Sequence, residues 1–244
     1  GDMMKLVIVG GGIAGVTTAR YVTDRDPSCE IAIYSEESYP YYPRPRLIDL
    51  IAGDASPEAI IAEPRDWYAR RGIDLHLGRC AVALEPEAHR VTMADGEVIG
   101  YDRLLLANGA RAWVPPIPGT ELDGVFALRS MDDALAIRQR ARASRRAVVL
   151  GGGLLGLDLA HAIRAHDVQV TVVELLPRLL PRQLDEEGAS ILQGIIERGG
   201  VKVITGQACA RIEAKGAVRR IHLKNGDQLE ADMVIISAGV QPNL

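Results

Sequence analysis

Apolar and polar positions follow the same order in two separate parts of the chain. In each part an apolar run of buried-strand type leads into the pattern G-x-G-x-x-G, a helical pattern follows, and a second apolar run completes a β-α-β unit. The first unit contains strand Lys5–Val9, helix Ile13–Thr23 and strand Glu30–Tyr34, and the second contains strand Ala147–Leu150, helix Leu154–Ala165 and strand Gln169–Val173. This repetition predicts an α/β fold with two Rossmann-like dinucleotide-binding domains.

Shorter elements fill the rest of the chain. The predicted helices lie at Asp66–Arg71 and Glu186–Glu197, and the predicted strands lie within Asp74–Leu84, His89–Met93, Tyr101–Ala107, Val201–Thr205 and Met233–Ser237. Proline makes the segment Pro115–Gly119 stiff, which is typical of a connection between domains. We therefore divide the chain into residues 1–110, 111–235 and 236–244.

The two glycine runs, Gly10–Gly15 and Gly151–Gly156, are called here the first and second glycine loops. In such a loop the first glycine permits a tight turn, the second lets the backbone approach a pyrophosphate, and the third lets helix and strand pack closely. The start of the following helix offers free N–H groups and partial positive charge to the phosphates. The predicted phosphate-binding residues are Gly10, Gly12, Ile13, Ala14, Gly15, Gly151, Gly153, Leu154, Leu155 and Gly156.

The residue after the second strand of each unit selects between nucleotides. A carboxylate at this place binds the ribose hydroxyls and repels a 2′-phosphate. Glu174 occupies the place in the second unit, so the sequence favours NADH, although Arg178 nearby keeps NADPH open. In the first unit Ser35 stands where the acid is expected, and we assign the ribose to the next residue, Glu36. The alternative is that Glu36 only begins a solvated loop.

Composition narrows the function further. The formal net charge of -4 argues against general nucleic-acid binding, which needs clustered positive charge. No segment is long and apolar enough to span a bilayer, so we expect a cytoplasmic protein without a membrane partner. The 3 cysteines are far apart and the histidines form no ligand set, which predicts neither a disulfide framework nor a metal site.

Several ordered motifs now identify a family. They are the two glycine loops, Tyr41–Leu47, Tyr101–Ala110, Pro181–Asp185 and Ser237–Asn243. Through them the chain resembles the pyridine nucleotide-disulfide oxidoreductase superfamily. It is most similar to NADH:rubredoxin reductases and to the flavin-binding front part of NADH-dependent nitrite reductases.

The resemblance implies that the first glycine loop holds FAD and the second holds NAD(P)H. Residues 1–110 would be the first segment of an FAD-binding domain, residues 111–235 an NAD(P)H-binding domain, and residues 236–244 the start of a return to the FAD domain. The residues implied near the cofactors are Arg44 and Pro45 beside the flavin ring, Ala81 at its adenine, Ala107, Asn108 and Gly109 over the flavin, Asp158 near nicotinamide and flavin, and Gly239 near the nicotinamide nucleotide. Asn108 replaces the family's usual Thr and Asp158 its usual Glu, and Arg44 and Asp158 are the candidates for a role in the reaction.

The resemblance implies an FAD-dependent NADH oxidoreductase. Hydride would pass from NADH to FAD, and electrons would pass on to rubredoxin, ferredoxin or a nitrite reductase domain. No cysteine lies between Ser35 and Leu50, which argues against thiol chemistry there. Family members continue beyond Pro242-Asn243, so we expect the chain to be truncated at its C-terminus, and a homodimer is open. The alternative is a non-catalytic NADH-binding regulatory module, or an electron-transfer module that depends on a partner.

Overall fold

The computed structural model describes residues 3–243 and divides the chain into two compact units. The first unit comprises the chain up to Arg44, the segment Pro57–Ala110 and the residues from Pro242 onward. The second unit comprises Pro45–Ser56 and Arg111–Gln241. Residues 1, 2 and 244, at the ends of the predicted segments, lie outside the described residues.

The elements follow the expected alternation of strand and helix. The helices are α1 (Ile13–Arg25), α2 (Leu47–Ala52), α3 (Pro57–Ile60), α4 (Arg65–Ala69), α5 (Met131–Arg142), α6 (Leu154–Arg164) and α7 (Glu186–Arg198). The strands are β1 (Lys5–Val9), β2 (Glu30–Ser35), β3 (Ile73–Leu77), β4 (Ala81–Glu85), β5 (Arg90–Met93), β6 (Val98–Gly100), β7 (Arg103–Leu106), β8 (Ala110–Ala112), β9 (Val125–Ala127), β10 (Arg146–Leu150), β11 (Gln169–Val173), β12 (Lys202–Ile204), β13 (Cys209–Lys215), β14 (Val218–Leu223), β15 (Gln228–Ala231), β16 (Met233–Ile236) and β17 (Val240–Pro242). None of the helices described between residues 3 and 243 combines the length and the apolar character that crossing a bilayer requires.

The first unit is a parallel sheet with a layer on each face. Its strand order is β3-β2-β1-β7, and all neighbours run parallel. Successive side chains of β1 point to opposite faces, so Leu6 and Ile8 pack with α1 and Trp67, whereas Val7 and Val9 pack with the antiparallel layer β4-β5-β6. Because both faces are covered, β1 is apolar from Leu6 to Val9.

The second unit repeats this layout with a wider sheet. Its strand order is β12-β11-β10-β16-β9, again with parallel neighbours. The antiparallel strands β13-β14-β15 supply Ile212, Ile221 and Leu223 to the core that contains Val148 and Leu150. Helix α6 packs against β10 and β11. The predicted α/β fold with two Rossmann-like units is therefore observed.

Residues 45–56 do not follow the predicted division, which gave them to the first domain. They belong to the second unit, where α2 packs against α5 and α6. Leu47, Leu50 and Ile51 are buried, and the Ile51 carbonyl lies 2.7 Å from Nε2 of His166. Local sequence patterns contain no signal for such distant packing, which explains the difference.

Residues 236–241 also differ from the predicted division, since they stay with the second unit instead of beginning a return to the first. The Trp113 N–H donates to the Gly239 carbonyl at 2.9 Å, and the Arg111 guanidinium donates to Oε1 of Gln241 at 3.3 Å. The chain leaves the first unit between Ala110 and Arg111, which is the place where we divided the sequence.

In each unit an aspartate directly before one parallel strand hydrogen-bonds to its neighbour in the sheet: Asp102 before β7 bonds to β1, and Asp232 before β16 bonds to β10. The Lys5 N–H donates to Oδ2 of Asp102 at 2.7 Å, and the Asp102 N–H donates to the Lys5 carbonyl at 3.0 Å. In the second unit the Arg146 N–H donates to Oδ2 of Asp232 at 2.9 Å, and the Asp232 N–H donates to the Arg146 carbonyl at 2.9 Å. The duplication therefore extends from the element order to individual hydrogen bonds.

Candidate functional site

The first glycine loop requires glycine at two of its positions because backbone atoms crowd them. Gly10 has φ +115°, and a Cβ there would lie 2.0 Å from the carbonyl oxygen of Ala107. A Cβ on Gly15 would lie 2.1 Å from the carbonyl oxygen of Gly10. These contacts bring the start of α1 directly onto the ends of β1 and β7, which is the close packing expected of such a loop.

The second glycine loop has the same restrictions at the same places. Gly151 has φ +121°, and its Cβ would lie 2.1 Å from the carbonyl oxygen of Ser237. A Cβ on Gly156 would lie 2.0 Å from the carbonyl oxygen of Gly151. Both loops thus bring a helix N-terminus to the carboxyl end of a parallel sheet, where anions bind in this class of fold.

The middle glycine of each G-x-G-x-x-G pattern, which is Gly12 or Gly153, is different, because no contact within the protein requires a glycine there. Gly12 and Gly153 have ordinary φ angles of -80° and -77°, and no heavy atom lies within 4 Å of an added Cβ at either position. Each is the N-cap of its helix without a side-chain cap, so the first N–H groups of α1 and α6 are available to a ligand. Open space beside a helix N-terminus is what a bound phosphate needs, and the residues present therefore fit a dinucleotide in both loops.

Exposed apolar side chains flank these openings. Ile13 and Leu154 begin the two helices and are 64% and 61% exposed, and Leu155 beside Leu154 is also exposed. Ala14, the counterpart of Leu155, is exposed as well. These residues lie at the predicted phosphate-binding positions.

Glu174 lies directly against the second glycine loop. Its Oε2 accepts the Gly152 N–H at 2.6 Å and its Oε1 accepts the Leu176 N–H at 2.7 Å. Both carboxylate oxygens are therefore oriented by backbone donors, and the negative charge is fixed next to the loop. The exposed Leu175 and Leu176 follow immediately.

In the first unit Ser35 takes the place of Glu174. The Gly10 N–H donates to the Tyr34 carbonyl, as the Gly151 N–H donates to the Val173 carbonyl, so Ser35 and Glu174 are equivalent in register. Ser35 is buried, and its Oγ would lie 3.0 Å from a Cβ on Gly11. Glu36 is the first exposed residue beyond β2.

Arg178 is turned toward helix α7. Its Nη2 lies 3.4 Å from the Pro181 carbonyl oxygen, and its side chain lines a cavity of about 500 Å³ together with Ser190, Gln193 and Glu197 of α7.

Of the residues predicted near the flavin ring and its adenine, Arg44 and Ala81 belong to the first unit and Pro45 belongs to the second. Arg44 forms an ion pair with Glu37, and its Nη1 donates to Oη of Tyr42 at 2.7 Å. Pro45 continues the short 3₁₀ turn Arg44–Arg46. Ala81 begins β4, opposite Met93 of β5.

Asn108 pairs with Asn243 in a reciprocal arrangement. The Asn108 side-chain amide lies 2.5 Å from the Asn243 carbonyl oxygen, and the Asn243 side-chain amide donates to the Asn108 carbonyl at 2.7 Å. The Asn243 N–H donates to the Gly109 carbonyl at 3.1 Å. Gly109 and its repeat counterpart Gly239 have φ +65° and +106°.

Asp158 is exposed on α6, one turn after the start of that helix at Leu154.

The chain matches a family model and several known proteins. The model of the family described as Pyridine nucleotide-disulphide oxidoreductase matches residues 4–244. The chain belongs to this family. The resemblance inferred from the motifs is confirmed.

The relatives that match this member of the family are longer proteins. The nitrite reductase [NAD(P)H] large subunit of Klebsiella oxytoca is 36% identical over 239 residues, which cover 97% of this chain and 25% of that protein. The rubredoxin-NAD(+) reductase of Ectopseudomonas oleovorans is 32% identical over 243 residues, which cover 99% of this chain and 63% of that protein. The crystal structure of the ferredoxin reductase for the CYP199A2 system from Rhodopseudomonas palustris has a TM-score of 0.92 at 29% identity, covering 98% of this chain and 59% of that one. The chain therefore spans from 25% to 63% of these relatives.

The cysteines of this family member are not activated in the structure. Burial raises the pKa of the thiols of Cys29, Cys80 and Cys209, and the acidic neighbours of Cys29 and Cys80 raise it further. A raised pKa leaves the thiol protonated and less nucleophilic at neutral pH.

Sequence reasoning missed three contributors to the two sites. They are Glu37, which pairs with Arg44, Asn243, which pairs with Asn108, and the backbone donors that orient Glu174. Asn243 was visible only as a member of the motif Ser237–Asn243, Glu37 belongs to no motif, and backbone donors have no signal in the sequence.

Proposed function

We propose that the protein is an FAD-dependent NADH oxidoreductase that passes electrons to an acceptor protein. Residues 1–110 would hold FAD, and residues 111–235 would hold NADH. The observation that carries this proposal is the pair of middle glycines, Gly12 and Gly153, each open to solvent at a helix N-terminus. Two such openings in one chain fit two dinucleotides, which suits transfer from one to the other.

The protein's own part is to bind and orient. Backbone N–H groups at the starts of α1 and α6 would hold the two pyrophosphates, and the crowded glycines keep each loop in shape. Bound FAD would supply the ability to accept two electrons from nicotinamide and to release them onward. Orientation of the nicotinamide and exclusion of water would fall to the neighbouring side chains.

Individual residues have proposed roles around these loops. Arg44 would place positive charge near the flavin, and Asp158 would help to position the nicotinamide amide. Ala81 would meet the flavin adenine, and Glu36 its ribose. Pro45, Ala107, Asn108, Gly109 and Gly239 would contribute backbone and side-chain contacts to the two cofactors.

We propose NADH as the preferred nucleotide because of Glu174. Its carboxylate is held against Gly152 by a hydrogen bond of 2.6 Å, so it would receive two ribose hydroxyls well and a 2′-phosphate badly. Arg178, directed toward α7, is poorly placed to compensate the added negative charge.

The names of the relatives support the class of acceptor. They include a rubredoxin-NAD(+) reductase, a ferredoxin reductase and a nitrite reductase large subunit. We therefore propose a small iron–sulfur protein or a nitrite reductase domain as the electron acceptor.

An anaerobic titration tests the function. The purified protein, saturated with FAD, is mixed stepwise with NADH while the flavin absorbance is followed. We expect the absorbance to bleach with one equivalent of NADH per flavin and to recover when an artificial acceptor is added. A protein that binds NADH without retaining flavin would support a non-catalytic NADH-binding module instead.

A further inference from the structure

The side chain of Arg44 is held in a closed cycle of three groups. Its Nη2 lies 2.5 Å from Oε1 of Glu37, and its Nη1 donates to the Tyr42 hydroxyl oxygen at 2.7 Å. The Tyr42 hydroxyl in turn donates to Oε2 of Glu37. Each pair of the three side chains therefore shares a hydrogen bond, and we call Glu37, Tyr42 and Arg44 the arginine triangle.

The backbone around the arginine triangle is tied to other elements of the first unit. The Tyr41 N–H donates to the buried Tyr68 hydroxyl oxygen at 3.2 Å, and the Tyr41 carbonyl accepts the Ala62 N–H at 2.9 Å. The Glu37 carbonyl accepts the Gly78 N–H at 3.1 Å. Both ends of the loop are thus fixed, and the triangle is presented on a rigid support.

Fold stability alone is a weak reason for this arrangement. The side chains of Arg44 and Glu37 are 37% and 24% exposed, and ion pairs with such exposure stabilise the fold by a small but measurable amount. A guanidinium held in one orientation has a larger effect on the electrostatic potential at a neighbouring ligand than a mobile guanidinium has. The cycle also ties each group to the other two, because Glu37 uses one oxygen for Arg44 and the other for Tyr42.

We infer that Glu37 is a positioning residue that fixes the Arg44 guanidinium and, through it, sets the reduction potential of the bound flavin. This inference rests on the proposed function, in which Arg44 lies near the flavin. The carboxylate supplies two acceptors to two donors. A glutamine has only one acceptor oxygen, and its NH₂ group would meet either the Arg44 donors or the Tyr42 hydroxyl.

The first test needs no flavin. Thermal unfolding is measured for the parent, Glu37→Gln, Arg44→Gln and the double variant, all without cofactor. If Glu37 holds Arg44, the loss of unfolding midpoint in the double variant is smaller than the sum of the two single losses. Glu87→Gln removes an exposed carboxylate elsewhere in the first unit and serves as the matched control, whose loss should add to that of Arg44→Gln. Simple additivity of Glu37→Gln and Arg44→Gln would overturn the inference.

The second test uses the flavin-loaded protein and a dye titration of its reduction potential. We expect Glu37→Gln to shift the potential by at least a tenfold change in the redox equilibrium, about 30 mV for two electrons. In the Arg44→Gln background the same substitution should shift it by less than about one third as much, because the residue acts through Arg44. Equal shifts in both backgrounds, or no shift in the parent, would overturn the inference. Failure of every variant to take up flavin would instead count against the proposed function, and the unfolding cycle would still decide whether Glu37 holds Arg44.

Discussion

Replacing Gly153 by alanine separates the demands of the fold from those of a ligand. Gly153 has φ -77° and ψ 178°, which any L-residue adopts, and an added Cβ has no neighbour within 4 Å. Alanine is a poorer N-cap than glycine by up to about 1 kcal/mol. It also restricts the unfolded chain, which returns about 0.4–1 kcal/mol. The free energy of unfolding should therefore change by less than about 1 kcal/mol.

The neighbouring change Gly151→Ala should behave in the opposite way. Its φ of +121° is strained for alanine, and the new Cβ would lie 2.1 Å from the Ser237 carbonyl oxygen. Backbone strain of this kind costs about 1–3 kcal/mol, and relief of the overlap costs more. We expect a loss of at least about 3 kcal/mol, seen as a fall in the unfolding midpoint of about 6–12 °C for a chain of this size.

Nucleotide binding should respond to Gly153→Ala although stability does not. The methyl group would stand where the pyrophosphate approaches the backbone, so NADH binding should weaken at least tenfold, about 1.4 kcal/mol. The assays are a fluorescence titration with NADH and a thermal unfolding curve on the same sample. Gly12→Ala is the matched variant in the first glycine loop, and it should weaken flavin retention instead of NADH binding.

Two results would refute this reasoning. A folded Gly153→Ala protein that binds NADH as tightly as the parent would mean that the second glycine loop does not receive the pyrophosphate. A Gly153→Ala protein that unfolds as readily as Gly151→Ala would mean that the open space beside the loop is absent in solution.

Three further substitutions test separate parts of the structure. Glu174→Gln removes the charge that disfavours a 2′-phosphate, so the ratio of NADPH to NADH affinity should rise at least about tenfold in parallel titrations; an unchanged ratio would show that another group selects the nucleotide. Burial by itself would raise the pKa of Asp232. The N–H groups of Arg145 and Arg146 and nearby guanidinium groups lower that pKa by a larger amount, so the net pKa lies below its ordinary value. Its stabilising effect is thus present above the unfolded pKa of about 3.9 and lost as the pH falls through the folded pKa, so the stability gap between parent and Asp232→Asn in urea should close at acid pH and not at alkaline pH. Tyr68→Phe leaves the partly buried Tyr41 N–H without its acceptor, and we expect a loss of about 1–2 kcal/mol in urea unfolding; no loss would mean that water replaces the hydroxyl.

The elements that local patterns specify could be predicted from the sequence. The apolar runs of β1 and β10, the glycines that follow them and the helices α1 and α6 are contiguous in the chain, so spacing alone identified both loops. Glu174 was found in the same way, because the strand before it has a clear end. The turn at Asp95-Gly96 follows from its residue types, and the Gly96 φ of +89° agrees with it.

The contacts between distant residues could not be predicted in this way. Helix α2 has an apolar face, but nothing in residues 45–56 says that its partners are α5 and α6, far along the chain. In the first unit the strand boundary separates Ser35 from Glu36 by one position, and a pattern cannot resolve that difference. The bonds of Glu174 and Asp232 are made to backbone N–H groups, which every residue except proline possesses. Residue types therefore indicated the place of Glu174 without its partners.

The attachment of helix α2 to the second unit has a practical consequence for protein engineering. The second unit is not one continuous stretch of sequence, because a short segment from much earlier in the chain completes its apolar interior. Excising residues 111–241 alone would leave α5 and α6 with the surface that Leu47, Leu50 and Ile51 normally cover, and an uncovered apolar surface favours aggregation. A functional swap between two members of the family must carry both pieces, for example by grafting residues 45–56 ahead of the excised half through a flexible tether.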